Sequence, residues 1–202
     1  MYHALTALSL GEKRAVVARE PDGREYGPAI VRCHKAHGGI DLHFDSSKWR
    51  EQRTEMAVAQ FETQLGAILV LQAPEKLGPT PGDEYSDNVM YNIDGRELGE
   101  SIALSEEPRT SSTARDFGGV KQAQQAGAQA SQLNKVDLGA FDRYCEARGS
   151  RRSPLSLDTG DLYVFKSDDV HTVPGFAGDR LRVVLATFVG FSAAREEMFV
   201  WA

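Results

Sequence analysis

The sequence predicts a mainly β fold, an antiparallel sandwich or barrel that is interrupted by a helical and polar insertion. Short β-prone segments bounded by Gly, Pro and Asp occupy both ends of the chain. Residues 101–152 between them are polar, rich in Gln and Ala, and poor in the β-branched residues that favour a sheet. The 202 residues, 41% of them apolar, are enough for one domain with a sizeable core. We therefore predict a single domain over 1–202, with an insertion or lid at about 101–152.

The first half of the chain contains five predicted strands. Apolar or β-branched runs predict them at 15–18, 29–33, 40–44, 65–71 and 89–93. Turn formers separate the runs, among them Pro21-Asp22-Gly23 and Gly38-Gly39. The charged segment 46–60, which lies between the third and fourth strands, predicts a helical turn or two.

One helix is predicted in the middle of the chain, and three strands follow it. Leu138, Phe141 and Cys145 fall at helical spacing, which predicts an amphipathic helix over 136–148 that ends at Gly149. The β pattern then returns, with strands predicted at 162–165, 170–173 and 181–191. Because β-rich segments flank a helical middle, we expect the first and last strands to meet in space.

Charge and cysteine content narrow the classes of partner. The formal net charge is −6 and the pI about 5.4. Nucleic-acid binding depends on neutralising phosphates with positive charge, so this composition argues against a nucleic acid as the main partner. Cys33 and Cys145 lie far apart and outside any CxxC pair, so neither a disulfide framework nor a zinc ribbon is indicated. We see no secretory leader and no apolar run near the roughly 20 residues that cross a bilayer. We expect a soluble, cytoplasmic protein with a small-molecule partner and no nucleic acid or membrane, and its oligomeric state stays open.

The candidate site begins at His43-Phe44-Asp45, in a predicted strand. Residues two apart in a strand point to the same face, so an imidazole and a carboxylate lie side by side. Two His and one carboxylate form the facial triad of non-haem Fe(II) oxygenases, with open positions left on the metal. His171 is the histidine that the C-terminal half offers as third ligand. A zinc cluster of His34, His37 and His43 is the alternative, although His34 and His37 are equally explained as solvated residues before a turn.

An arginine pair follows His171 in the chain. Arg180 and Arg182 lie at the start of the last predicted strand, in the run Gly178-Asp179-Arg180-Leu181-Arg182. A guanidinium group offers a planar pair of donors that matches a carboxylate. This position indicates a binding site for a carboxylate-bearing co-substrate close to the metal.

Together these motifs resemble the Fe(II)- and 2-oxoglutarate-dependent dioxygenases, particularly the branch of prolyl 4-hydroxylases and related small-molecule hydroxylases. The matching pieces, which span about 30–191, are His43-Phe44-Asp45, Leu69-Val70-Leu71-Gln72, Gly160-Asp161-Leu162-Tyr163-Val164-Phe165, His171-Thr172-Val173-Pro174 and Gly178-Asp179-Arg180. The resemblance implies a double-stranded β-helix, a distorted jelly roll of cupin-like type. The separation of Asp45 from His171 is long for the family, and the polar insertion accounts for it.

The resemblance also implies a set of site residues. His43, Asp45 and His171 are the implied catalytic metal ligands for Fe(II), with 2-oxoglutarate and O2 as co-substrates. Arg180 is favoured for the distal carboxylate of 2-oxoglutarate and Arg182 is the second choice, while Tyr91 and Gln72 are candidates for an assisting hydroxyl or amide. Because a carboxylate, Asp45, occupies the position where related halogenases have Gly or Ala, the implied reaction is hydroxylation, with release of succinate and CO2.

Three functions follow from these observations. The first is a hydroxylase that acts on an unactivated C–H bond of a small molecule, such as an amino acid or a biosynthetic intermediate. The second uses the same chemistry on a protein or peptide side chain, as prolyl hydroxylases do. The third is a cupin-like metal-binding domain without oxygenase activity, which has no use for 2-oxoglutarate.

Overall fold

Two β-sheets and a few short helices make up the part of the chain that the computed structural model describes, residues 1–50, 54–95 and 138–202. The helices are α1 (Tyr2–Leu8), α2 (Ser47–Arg50) and α3 (Leu138–Arg148), with a 3-10 turn at Ala57–Gln60. The strands are β1 (Arg14–Val17), β2 (Ile30–His34), β3 (Ile40–His43), β4 (Thr63–Gln72), β5 (Asn88–Asp94), β6 (Ser153–Leu155), β7 (Leu162–Lys166), β8 (Asp169–Val173), β9 (Arg182–Phe191) and β10 (Glu197–Trp201).

The larger sheet is built around the long strands β4 and β9. Its order is β1-β10-β9-β4-β7, and β2 pairs with the free end of β9. Strands β4 and β9 run antiparallel over nine residue pairs, from Thr63 opposite Phe191 to Gln72 opposite Val183. Strand β1 pairs in parallel with β10, so the first and last strands meet, as the sequence predicts.

The smaller sheet has the order β3-β8-β5-β6 and less regular pairing. The register shifts between Ile40 and His43 along β3, and again between Met90 and Asp94 along β5. Contacts between side chains join the two sheets: the Phe165 ring in β7 meets the His171 ring in β8, and Asn88 in β5 donates a hydrogen bond to the Tyr163 hydroxyl in β7. The sheets therefore face each other, and the residues between them form an inner face.

One helix covers the outer face of each sheet. Leu5 of α1 is buried against Val189 and Met198 of the larger sheet. Phe141 of α3, only 1% exposed, packs against Val170 of the smaller sheet. Full burial of a large apolar side chain stabilises a fold by about 2 to 3 kcal/mol. Phe141 is therefore a main contact that holds this helix on the sheet.

The mainly β architecture is confirmed, and the eight predicted strands are present within about two residues of their expected bounds. The middle helix begins at Leu138 and ends at Arg148, followed by Gly149 with φ +62, a conformation that glycine adopts at low cost. The sequence did not indicate α1, β6 or β10. Most of the predicted insertion, residues 101–137, lies outside the described residues. Of the helices that are described, none has the length and apolar character that crossing a bilayer requires.

Candidate metal centre

His43, Asp45 and His171 converge at one end of the inner face. His43 ends β3 and is the cross-strand partner of His171 in β8, so both side chains lie on the same face. Their ring centroids are 4.2 Å apart. The Asp45 carboxylate lies 3.7 Å from His43 Nε2 and 3.4 Å from His171 Nε2, and the three ligand atoms lie within 4.8 Å of one another. Among the described residues, this is the group of His, Cys, Asp and Glu side chains whose spacing suits a metal ion.

Both imidazole rings are oriented by the backbone of their own strands. His43 Nδ1 lies 2.6 Å from the Asp41 carbonyl oxygen, and His171 Nδ1 lies 2.9 Å from the Asp169 carbonyl oxygen. A carbonyl only accepts, so each Nδ1 donates, and in the neutral ring this leaves the Nε2 lone pair available to a metal. A second hydrogen bond of this kind is what fixes the tautomer of a metal-binding histidine. Both Nε2 atoms thus lie beside the Asp45 carboxylate, and two imidazoles with one carboxylate form a donor set that fits a divalent transition metal.

Residues of the larger sheet hold the backbone around Asp45. Gln64 in β4 is 8% exposed; its Nε2 donates to the Asp45 carbonyl at 2.7 Å and its Oε1 accepts from the Ser47 amide at 2.9 Å. The Asp45 amide donates to the Ser167 carbonyl at 2.7 Å. The segment that carries the carboxylate is therefore held by β4 and by the turn between β7 and β8.

Phe165 forms a wall between the ligands and the larger sheet. Its ring meets the His171 ring edge-on with centroids 4.8 Å apart, and it stacks on Tyr163 at 5.6 Å. Gly66 lies directly opposite Phe165 in β4, and a Cβ at Gly66 would overlap the phenyl ring. A glycine at this position lets Phe165 lie flat across β4 beside His171.

A small cavity of about 90 Å³ opens beside Asp45 on the inner face of the larger sheet. Its walls are mainly apolar, and Arg32 of β2 supplies a cation. Asp45, Arg32, Ile68, Phe165, Ala186 and Phe188 line it. The cavity thus lies next to the carboxylate of the His-Asp-His group.

Arg182 is buried deeper on the same face, in a cluster of polar groups. It is 3% exposed, and its Nε donates to Asp87 Oδ1 at 2.8 Å; Asp87 itself is fully buried. The Tyr85 hydroxyl donates to the same oxygen at 2.7 Å, and the Leu157 amide donates to the other carboxylate oxygen at 2.7 Å. Burial, followed by the hydrogen bond to Asp87, raises the pKa of Tyr85, so its hydroxyl stays a donor at neutral pH.

His34 borders this cluster as the cross-strand partner of Arg182. Burial, together with the positive charges of Arg182 and Arg32, lowers its pKa to about 4. His34 is therefore neutral at pH 7. The alternative zinc cluster with His37 and His43 is not assembled, because the ligand atoms that group with His43 are those of Asp45 and His171.

The structure separates the other predicted co-substrate residues. Arg180, the favoured arginine, lies exposed in the turn before β9, whereas Arg182 opens the strand and faces inward. Tyr91 points to the outer face of the smaller sheet, where its ring meets Phe141 at 5.0 Å. Gln72 donates to the Leu181 carbonyl at 2.8 Å. Of these four residues, Arg182 is thus buried on the inner face, Arg180 is exposed, Tyr91 lies on the outer face of the smaller sheet, and Gln72 is bound to the backbone beside β9.

Sequence reasoning missed Gln64 and Asp87. Gln64 is a polar residue among the apolar, inward-facing residues of β4. A polar residue at such a position in a buried strand could have indicated an internal hydrogen bond. Asp87 ends a run that reads as a loop, and no local pattern indicates that its carboxylate is buried.

Comparison with solved structures supports the fold. The chain resembles an N-substituted L-amino acid dioxygenase from Burkholderia ambifaria, with a TM-score of 0.55 and 15% identity over 93% of this chain and 58% of that one. For a structure of an N-substituted L-amino acid dioxygenase from the same organism in complex with α-ketoglutarate, the TM-score is 0.53 and the identity 14%, over 94% and 58% of the two chains. PvcB from Pseudomonas aeruginosa, at 12% identity over 91% and 69%, has a TM-score of 0.40, too low to carry an argument.

These likenesses concern the fold. No protein-family model matches the sequence, and no curated protein matches it. The chain spans 58% of the length of the dioxygenase that it resembles. The resemblance indicated by the motifs is confirmed at the level of the fold, and the His-Asp-His group has the ligand types of a non-haem iron site.

Proposed function

We propose that this chain is an Fe(II)- and 2-oxoglutarate-dependent oxygenase that hydroxylates a small molecule. The observation that carries the proposal is the convergence of two imidazole side chains and one carboxylate, those of His43, His171 and Asp45, whose ligand atoms lie within 4.8 Å of one another. Two imidazoles and one carboxylate leave coordination positions for co-substrate and oxygen. When bound, iron supplies the activation of O2 that is coupled to decarboxylation of 2-oxoglutarate.

The strand order supports a finer description of the fold as a double-stranded β-helix. Early and late strands alternate in both sheets, as β2-β9-β4-β7 in the larger and β3-β8-β5-β6 in the smaller. Each sheet thus combines strands from both ends of the chain, which is the arrangement of a jelly roll. The inner face between the sheets holds the proposed metal ligands.

Arg182 is our candidate for the distal carboxylate of 2-oxoglutarate. It is buried on the inner face, and it binds the Asp87 carboxylate through Nε rather than through its two terminal nitrogens. Tyr163 connects this cluster to the metal ligands through its stacking on Phe165, which meets His171. A guanidinium held by its Nε is oriented in advance, so less entropy is lost when a carboxylate binds.

The chain's own residues account for orientation rather than for oxygen chemistry. The Asp41 and Asp169 carbonyls set the imidazole rings, and Gln64 sets the backbone of Asp45. Phe165 and other apolar side chains form most of the wall beside Asp45. A carboxylate at position 45 supports hydroxylation, since it occupies a coordination position that halide would need.

The test is anaerobic addition of Fe(II) and 2-oxoglutarate to the full chain, with measurement of the weak visible charge-transfer band of the chelate. We expect the band with the wild type and its loss in Asp45→Ala and His171→Ala. Exposed residues of the same types provide matched controls, Asp22→Ala and His3→Ala, which should retain the band. Absence of the band in the wild type, or an unchanged band in both ligand variants, contradicts the proposal.

Succinate release separates the oxygenase from a cupin-like binding domain. With O2 admitted, the oxygenase converts 2-oxoglutarate to succinate and CO2, and a domain that only binds metal does not. Succinate measured by mass spectrometry in wild type, and reduced to background in Asp45→Ala, is the expected result.

A further inference from the structure

We propose that two copies of this chain associate through the outer face of the larger sheet, with Leu10 of each copy seated in an apolar cavity of the other. The cavity lies between α1 and the sheet, and Leu10 follows α1 in the chain. The proposed metal ligands lie on the inner face, on the other side of this sheet. The inference therefore goes beyond the proposed function and does not depend on it.

An apolar cavity of about 260 Å³ lies between the end of α1 and the larger sheet. A cavity of roughly 150 Å³ is large enough to bind benzene, so this one can hold a leucine side chain. Side chains from α1 and from four strands form its apolar walls: Leu5, Leu65, Val164, Val189, Phe191 and Met198. Leu8 also lines the cavity and is 63% exposed. The cavity therefore opens to the surface beside the last turn of α1.

Leu10 is displayed next to this opening in a conformation that leucine rarely adopts. Its φ is +55°, in the left-handed region, where the Cβ of an L-residue lies too close to the following carbonyl oxygen. The helix ends there in a Schellman motif, in which the Leu10 amide donates to the Ala7 carbonyl at 2.9 Å and the Gly11 amide to the Thr6 carbonyl at 3.1 Å. Glycine is the usual residue at the position that Leu10 occupies.

The Leu10 side chain is 89% exposed, the highest value for a large apolar side chain among the described residues. Ser9 and Glu12, on either side of it in the chain, both line the cavity. The Ser9 hydroxyl accepts from the Lys13 amide at 3.1 Å and donates to the Thr6 carbonyl at 2.7 Å, so the turn is ordered in the single chain. A strained and ordered turn thus holds an apolar side chain in solvent, which points to a function outside the single chain.

A second copy of the chain accounts for the cavity and for Leu10 together. In a two-fold interface the same patch faces itself, so an apolar side chain and a cavity that are neighbours on one copy can fill each other reciprocally. Both exposed leucines, Leu8 and Leu10, then leave water in one step. A small apolar molecule in the cavity would leave Leu10 in solvent.

Charged groups at the cavity are also self-complementary. Glu12 and Lys13 line it as neighbours of opposite sign. Lys13 Nζ donates to the Ser192 and Arg195 carbonyls, at 3.3 and 2.6 Å, and an ammonium group has three donors. Among the described residues, Glu12 makes no ion pair. In the two-fold arrangement Glu12 of one copy approaches Lys13 of the other, a match that an anionic lipid surface does not offer to a chain of net charge −6.

The experiment measures the mass of the full chain by sedimentation velocity and light scattering as its concentration is raised. We expect the wild type to pass from the 22.2 kDa of one chain to twice that mass. Leu10→Gly and Leu10→Asn suit a left-handed backbone and remove the apolar side chain, so each should raise the dissociation constant about tenfold or more. Leu77→Asn replaces another exposed leucine and is the matched control, which should dimerise as the wild type does.

Urea unfolding separates loss of the dimer from loss of the fold. Glycine relieves the strain at φ +55°, so Leu10→Gly should unfold at the same urea concentration as the wild type or at a higher one, when both are dilute enough to be monomeric. The chelate band with Fe(II) and 2-oxoglutarate should be unchanged in this variant, because Leu10 lies on the outer face.

Filling the cavity tests the other half of the contact. Val164→Phe places a larger side chain in the cavity wall and should also raise the dissociation constant about tenfold. A mixture of Leu10→Gly and Val164→Phe should associate more tightly than either variant alone. The intact Leu10 of the second variant then meets the open cavity of the first, and one of the two reciprocal contacts is restored.

Three results overturn this proposal: a wild type that stays monomeric at every concentration, Leu10 variants that dimerise as the wild type does, and a mixture that associates no better than its components. If the wild type is monomeric, flotation with phosphatidylcholine vesicles tests a lipid surface as the occupant, and native mass spectrometry tests a small apolar ligand. The chelate band is recorded on the same samples. Failure of the dimer and failure of the oxygenase are therefore seen separately.

Discussion

The two sheets differ in regularity, and the less regular one carries the proposed chemistry. In the larger sheet, β4 and β9 stay paired over nine residue pairs, with one register shift near the end. In the smaller sheet, β3 and β8 pair at His43 with His171 and at Ile40 with Val173, with a shift between them. Regular pairing provides rigidity, while a shift in register re-aims side chains toward one point. The ligand geometry is therefore set locally by the smaller sheet and supported from the larger one.

Two buried polar contacts carry this support across the interior. Gln64 reaches from β4 to the backbone at Asp45 and Ser47. Asp87, at the start of β5, meets Arg182 of β9. Each contact joins the sheets through groups that have little access to water, so each is costly to break. Substitutions at these positions test how far the smaller sheet depends on the larger.

The largest effect is expected from Asp87→Ala. The substitution leaves Arg182 buried without its counter-ion, which typically costs about 3 to 5 kcal/mol of the free energy of unfolding. Urea unfolding followed by circular dichroism measures it, with the exposed Asp22→Ala as control, where a change below about 0.5 kcal/mol is expected. The double variant Asp87→Leu with Arg182→Met should recover much of the loss, because neither charge then remains. A loss of less than about 1 kcal/mol in the free energy of unfolding for Asp87→Ala would show that the ion pair contributes little to holding the two sheets together.

Gln64→Leu should have a smaller effect on stability and a specific effect on metal binding. The change keeps the approximate size of the side chain but leaves the Asp45 carbonyl and the Ser47 amide without their partner, at a cost of about 1 to 3 kcal/mol. Metal affinity should fall about tenfold, as for other residues that orient ligands indirectly.

Fe(II) titration and urea unfolding measure the two effects of Gln64→Leu separately. Gln72→Leu, at the far end of the same strand, is the matched control and should leave metal affinity unchanged. Equal metal affinity in Gln64→Leu and wild type would mean that β3 holds Asp45 without help.

The smallest effect concerns His34 and pH. Its pKa is about 4 in the folded protein and 6.5 ordinarily, so the unfolded chain binds more protons between these values. The contribution of His34 to stability is therefore present above pH 6.5 and is lost as the pH falls toward 4. In His34→Gln, the free energy of unfolding should decrease less between pH 7 and pH 4.5 than in the wild type. The exposed His3→Gln is the control and should follow the wild type, and parallel curves for His34→Gln and wild type would contradict the assignment.

Local patterns predicted the strands and the first two members of the His-Asp-His group, because these depend on near neighbours in sequence. Alternation and turn formers mark the strands, and the two-residue spacing of His43 and Asp45 is a property of one strand. His171 required only that the chain supply a distant histidine on a neighbouring strand. The structure brings these three together as the sequence reasoning expected.

The arginine and its surroundings were harder to predict, because they depend on where a strand begins. Arg180 and Arg182 lie two residues apart and present the same side-chain type, but β9 begins at Arg182 and leaves Arg180 in an exposed turn. Strand boundaries are uncertain by a few residues in sequence reasoning. Asp87 depends on a contact across 95 positions with Arg182, and no periodic pattern reports such a contact.

The hydrogen bonds from each His Nδ1 to a backbone carbonyl have a consequence for competition between metal ions and protons. In many metal sites a carboxylate orients the imidazole, so acidification can release the ring before it displaces the metal. Here the partners are the Asp41 and Asp169 carbonyls, which take up no proton. These carbonyls therefore hold the aim of the two rings for as long as strands β3 and β8 remain folded, and at the proposed metal site acid would compete only at the ligand atoms themselves.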